Sequence, residues 1–104
     1  MPEADIELID MSVLEQVAPI IRNAAHPLRL RILDFLRQSD APRNVTDIVA
    51  ACEAEQAFVS QQLRILKDQG ILVSKRTGSF VYYQVANRAI FHLIDCIRSQ
   101  QRCG

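Results

Sequence analysis

Apolar positions along the chain follow a helical period for most of its length and switch once to a strand pattern. Ser12-Val13-Leu14-Glu15 reads as a capping box, in which a hydroxyl and a carboxylate three residues apart satisfy free N–H groups at a helix start. Val13, Leu14, Val17, Ile20 and Ile21 then recur at helical spacing, and the helix is expected to run through Pro19 despite the backbone bond lost there. His26-Pro27 opens a second helix, proline fitting the first helical position, with Leu30, Leu33 and Phe35/Leu36 as its buried stripe. Ser39-Asp40-Ala41-Pro42 breaks it. Asn44 caps a short third helix, Val45 to about Cys52, and Asp47 suits its first turn. After a tight turn at 53–55, a fourth helix runs from Gln56 to about Gln69, burying Phe58 or Val59, Leu63 and Leu66. Gly70 ends it where a left-handed residue is needed.

The period then changes. Residues 71–76 and 80–85 are β-branched and aromatic, and Thr77-Gly78-Ser79 between them reads as the turn of a hairpin. Asn87 caps a last helix to about Arg102, with Ile90, Leu93, Ile94 and Ile97 apolar. The expected fold is therefore mainly α with a β-hairpin, in the order α-α-α-α-β-β-α. A short helix, a three-residue turn, a longer polar-faced helix and a hairpin make a winged helix-turn-helix. The expected division is an acidic arm over 1–11 and a single domain over 12–104. Within the domain, the helix-turn-helix spans about 45–69, the wing about 71–85 and the terminal helix about 87–102.

With 104 residues, 49% of them apolar and 23% charged, the chain has the size and usage of one ordinary globular domain. A core of this size buries only roughly 60–70% of the unfolded surface, so a second copy would add stability. No apolar run reaches the length of a membrane span, and the expected location is the cytoplasm. Three widely spaced cysteines make no disulfide framework. Net charge is zero, but its distribution is uneven. Residues 1–15 hold Glu3, Asp5, Glu7, Asp10 and Glu15 and no cation. The rest carries twelve basic and seven acidic side chains, a net of +5 able to face phosphates.

The fourth helix carries the most specific chemistry. Opposite its apolar side lie Gln56, Ala57, Ser60, Gln61, Arg64 and Lys67. Glutamine bonds adenine in two places, serine donates or accepts, and arginine reads guanine or grips phosphate. The same residues would also describe a plain solvated face; the turn before and the hairpin after favour entry into a major groove. The hairpin adds Lys75, Arg76, Thr77, Gly78 and Ser79, where small residues let backbone approach a phosphate, although no arginine follows the glycine.

Ala25-His26-Pro27-Leu28-Arg29-Leu30-Arg31-Ile32-Leu33 resembles the second-helix signature of the ArsR/SmtB family of bacterial repressors. Residues 59–72, Val59-Ser60-Gln61-Gln62-Leu63-Arg64 through Gly70-Ile71-Leu72, resemble its recognition helix running into the wing. Gly78 with Val81-Tyr82-Tyr83-Gln84-Val85 resembles its wing and second strand. The resemblance spans residues 12–103 and implies a homodimer built from the first and last helices, here through Val13, Val17, Ile20, Ile90, Leu93, Ile94 and Ile97. It also implies binding to double-stranded DNA at an inverted-repeat operator, weakened by an inducer.

The family's effector sites are not carried over. Its Cys-x-Cys metal site on the third helix corresponds to Asn44-Val45-Thr46-Asp47. Its last-helix zinc site corresponds to Asn87, Ala89, Gln100 and Cys103, and its persulfide-sensing cysteine in the second helix corresponds to Asp34. No resident cofactor is expected. One other group remains: on a helical wheel Cys96 lies ~40° and Cys103 ~20° from His92, a set suited to a soft metal ion or to redox thiols. Each also has a plainer role, Cys96 as a small core residue and His92 as a polar edge. Cys52 is expected in the core and His26 at the helix entry. The leading expectation is a DNA-binding transcriptional repressor. The alternatives are a thiol or soft-metal sensor acting through Cys96 and Cys103, or a protein-interaction winged helix that has lost DNA binding. No nucleophile–base pair, phosphate loop or carboxylate pair suggests an enzyme.

Overall fold

The computed structural model describes residues 6–103, with side chains through Gln101. Residues 6–10 form no helix or strand and expose Ile6, Leu8 and Ile9. Five helices and three strands follow: α1 Met11–Ala24, α2 Pro27–Ser39, β1 Arg43–Asn44, α3 Val45–Cys52, α4 Gln56–Asp68, β2 Leu72–Thr77, β3 Phe80–Val85 and α5 Ala89–Cys103. Glu3 and Asp5 of the acidic leader lie outside the described residues.

Local chemistry explains most boundaries. Pro27 is the first helical residue of α2, and Nδ1 of His26 accepts from the Leu28 N–H at 3.2 Å. Asn44 Oδ1 accepts from the Asp47 N–H at 2.9 Å, which starts α3. Asn87 Oδ1 accepts from the Ala89 N–H at 2.9 Å, which starts α5. At the end of α4, Gly70 takes φ +76°, and the Ile71 and Gly70 N–H groups bond the Leu66 and Lys67 carbonyls at 3.0 and 2.9 Å. That is a Schellman closure, and it turns Ile71 into the core beside Leu66.

Three local expectations change. The capping box at Ser12 does not form: Met11 is already helical, and Val13 and Leu14 bond the backbone carbonyl of Asp10 at 3.1 Å instead. The hairpin turn has two residues, Gly78 and Ser79, because Thr77 pairs with Phe80 as the last rung; Gly78 supplies the positive φ of +64°. The buried stripe of α2 is Ile32, Leu33 and Leu36, with Leu30 and Phe35 half-buried, since α2 meets α3, α4, α5 and β3 over a broad arc.

The sheet order is β1-β3-β2, all antiparallel. The strand β1, only two residues long, pairs Arg43 with Tyr83 and Asn44 with Tyr82. The core joins Ala24, the α2 stripe, Ile48 and Cys52 of α3, Val59, Leu63 and Leu66 of α4, Ile71, Leu72, and Ile90 and Ile94 of α5. Among the described residues no helix is long and apolar enough to cross a membrane.

Candidate nucleic-acid interface

The second helix of the helix-turn-helix, α4, is divided cleanly. Val59, Gln62, Leu63 and Leu66 are buried, whereas Gln56, Ala57, Ser60, Gln61, Arg64 and Lys67 all face solvent together. Glu53, in left-handed conformation at φ +53°, makes the turn that sets α4 across α3. The groove-facing set expected from sequence therefore forms one continuous surface. Phe58, half exposed at 50%, joins its edge; Val59 takes the core place for which both were considered.

Lys75, Arg76, Thr77, Gly78 and Ser79 are also exposed, but the register divides them. Alternate residues of a strand face opposite sides. Arg76 shares a side with Leu72, Ser74 and Tyr83, the side against which α4 packs. Lys75 stands on the other side, opposite Tyr82. Tyr82 in turn lies 6.3 Å, centroid to centroid, from the exposed Phe80. The two wing cations thus reach different directions, and Arg76 is the one on the recognition-helix side.

Charge pairing leaves this surface free. Arg37, Arg43 and Arg98 form ion pairs with Asp95, Asp47 and Asp34. Among the described residues, Arg64, Lys67, Lys75 and Arg76 form none. The three paired acids lie on α2, α3 and α5, whereas Glu53, Glu55 and Asp68 are exposed at the two ends of α4.

A second surface is apolar. Val13, Leu14, Val17 and Ile21 on α1 and Ile97 on α5 are each more than one-third exposed. An open cleft of about 120 Å³ between the two helices is lined by Val17, Ile20, Ile21, Ile90 and Leu93, among others. Ile90 and Ile94, expected on a dimer face, instead sit in the protomer's own core at 2% exposure each. Their turn of α5 packs against α2, leaving Leu93 and Ile97 as the outward residues.

The thiols are separate. Cys52 is buried, as expected, and burial pushes its pKa up. Cys96 and His92 are exposed. The side chain of Cys103 lies outside the described residues, and among the described residues no group of three His, Cys, Asp or Glu side chains could hold a metal ion. Asp34 donates nothing to a thiol site: its carboxylate accepts from Arg98 at 3.2 Å.

Sequence reasoning missed Gln62. It stands in neither the apolar stripe nor the polar face expected for α4, yet it is only 4% exposed. Its position three residues from Val59 and four from Leu66 places it on the apolar stripe, which was the available signal.

A helical core with a helix-turn-helix and a three-stranded wing defines a winged helix-turn-helix protein. Residues 26–74 match the profile of the "Bacterial regulatory protein, arsR family". The chain is 37% identical over 87 residues to the HTH-type transcriptional regulator NmtR of Mycobacterium tuberculosis, covering 84% of this chain and 71% of that one. It superimposes on the crystal structure of the transcriptional repressor PagR of Bacillus anthracis with a TM-score of 0.75 at 30% identity, covering 85% and 99% of the two chains. A homodimeric winged helix-turn-helix DNA-binding domain from Mycobacterium bovis, Mb0332, gives a TM-score of 0.72 at 29% identity, covering 88% and 83%. The chain belongs to the arsR family of bacterial transcriptional regulators. It is not an enzyme.

Proposed function

We propose that this protein is a cytoplasmic, homodimeric repressor that reads an inverted-repeat operator with α4 and is released from it by an inducer. The observation that carries the reading is the outer face of α4, where Gln56, Ser60, Gln61 and Arg64 are exposed together. Amide and hydroxyl groups at the start of the helix meet base edges; Arg64 and Lys67 follow one and two turns later for guanine or phosphate. Arg76 closes on the flanking backbone from the α4 side of the wing. Pairing of α1 and α5 with a second copy covers Val13, Val17, Ile21 and Ile97. It also sets the two α4 helices to meet successive major grooves about 34 Å apart. NmtR and PagR carry regulator and repressor names, and Mb0332 is a homodimer, which supports the same assignment here.

The test is selection of bound fragments from genomic DNA, followed by a salt titration on the selected duplex. A steep fall of log K with log salt is expected, with half-sites one helical turn apart. Absence of any selected fragment, or a flat slope, overturns the reading.

A further inference from the structure

The buried glutamine of α4 belongs to a chain of hydrogen bonds that leaves the helix at two points and ends on α1. Arg29 Nε donates to Gln62 Oε1 at 2.6 Å, and Arg29 Nη1 donates to the Asn23 carbonyl at 2.9 Å. Asn23 Nδ2 in turn donates to Gln69 Oε1 at 3.1 Å and to the Pro19 carbonyl at 2.7 Å. Gln69 is the residue that caps the C-terminus of α4. Each link has a chemical reason. The Asn23 carbonyl lies in the last turn of α1, where carbonyls lack helical partners and the helix end attracts a cation. The guanidinium presents donors on separate nitrogens in a fixed planar fork, so Nε and Nη1 hold two acceptors in set directions. Among the described residues Arg29 has no carboxylate partner, so its charge is held by these neutral oxygens.

The two attachment points on α4, Gln62 and Gln69, are seven residues or about 10 Å apart along its axis. Apolar packing by Val59, Leu63 and Leu66 holds the helix in place but is non-directional. Hydrogen bonds at two points fix both its tilt and its rotation. We propose that Arg29 and Asn23 are positioning residues for DNA reading, aligning the recognition helix to the end of α1 and hence to the frame of the dimer. This rests on the reading of α4 and α1 given above. It predicts that specificity, more than general affinity, depends on side chains that never touch DNA.

The experiment compares the full-length wild type with Gln62→Met, Gln62→Glu and Asn23→Ala. The readouts are the ratio of affinities for the selected operator and a scrambled duplex, the salt slope, the oligomeric mass and amide hydrogen exchange. Gln62→Met fills the same volume without an acceptor; it should narrow the ratio by about tenfold or more, the worth of one well-oriented base contact, with slope and mass unchanged. Gln62→Glu keeps an acceptor for Arg29 and should retain the wild-type ratio. Asn23 is not part of the core, so Asn23→Ala reports even where Gln62→Met fails to fold; it should narrow the ratio and speed exchange at Gly70. Wild-type ratios in Gln62→Met and Asn23→Ala overturn the positioning role and leave DNA reading standing. If the wild type selects no DNA, the reading of α4 fails on its own. The linkage is then judged by exchange, and unchanged protection at Gly70 in Asn23→Ala overturns it too.

Discussion

Arg98 and Asp34 meet at 3.2 Å across the junction of α5 and α2, 64 positions apart in the chain. A second pair, Arg37 with Asp95 at 3.1 Å, crosses the same junction with the signs reversed. The two helices therefore lock in one register, since sliding either along the other separates both pairs. The Asp34–Arg98 side chains are about one-third exposed, so solvent screens much of the attraction. A double-mutant cycle with Asp34→Asn and Arg98→Met, followed by urea unfolding, should give a coupling energy of ~0.5–1 kcal/mol. A coupling near zero means that helix packing alone sets the register.

The Arg37–Asp95 pair has a pH signature. A hydrogen bond from Arg37 holds the Asp95 carboxyl below the usual carboxylate range. A depressed folded-state pKa stabilises the fold at pH above the ordinary value of about 3.9, and that stabilisation disappears as pH falls through the depressed value. Asp95→Asn should therefore lower the urea midpoint at pH above about 5. The difference from wild type should shrink below about pH 4. A difference that persists unchanged into acid means the carboxylate is not the source.

Base-reading and phosphate-gripping residues should separate in binding measurements. Gln61→Ala should relax preference at one base position by about 1–3 kcal/mol and leave scrambled DNA bound as before. Lys67→Ala should weaken all sequences alike and reduce the salt slope by about 1. The reverse pattern would exchange their roles.

The apolar face of α1 gives a test of assembly. Val17 is 37% exposed beside the cleft to α5. Val17→Asp should shift sedimentation towards the single chain, with a cost to association of about 2 kcal/mol or more if the site lies at the centre of the contact. The helical spectrum should stay intact, because the protomer core does not use this side chain. A dimer of unchanged strength places the contact elsewhere.

Elements with a chemical punctuation mark were legible in the sequence. Asn44 and Cys52 bound α3 as expected, Gly70 ends α4, and the hairpin strands fall within a residue of their places. What stayed hidden depends on tertiary partners. Two residues of β1 carry no pattern of their own and become a strand only against Tyr82 and Tyr83. Ile90 and Ile94 follow the same period as Leu93 and Ile97, and nothing local says which pair meets α2. The polar face of α4 was readable because its apolar residues repeat so regularly; Gln62 was passed over because an amide's burial is not evident until Arg29 is seen beside it.

Residue 44 is one of the places where the wing and the helix-turn-helix are joined. Its backbone pairs with Tyr82 in the wing while its side chain starts α3. Together with the pairing of Arg43 with Tyr83 and the packing of α4 on β2, this couples the wing to the helix-turn-helix. If α4 reads DNA as proposed, release would then move the wing and the helix-turn-helix together.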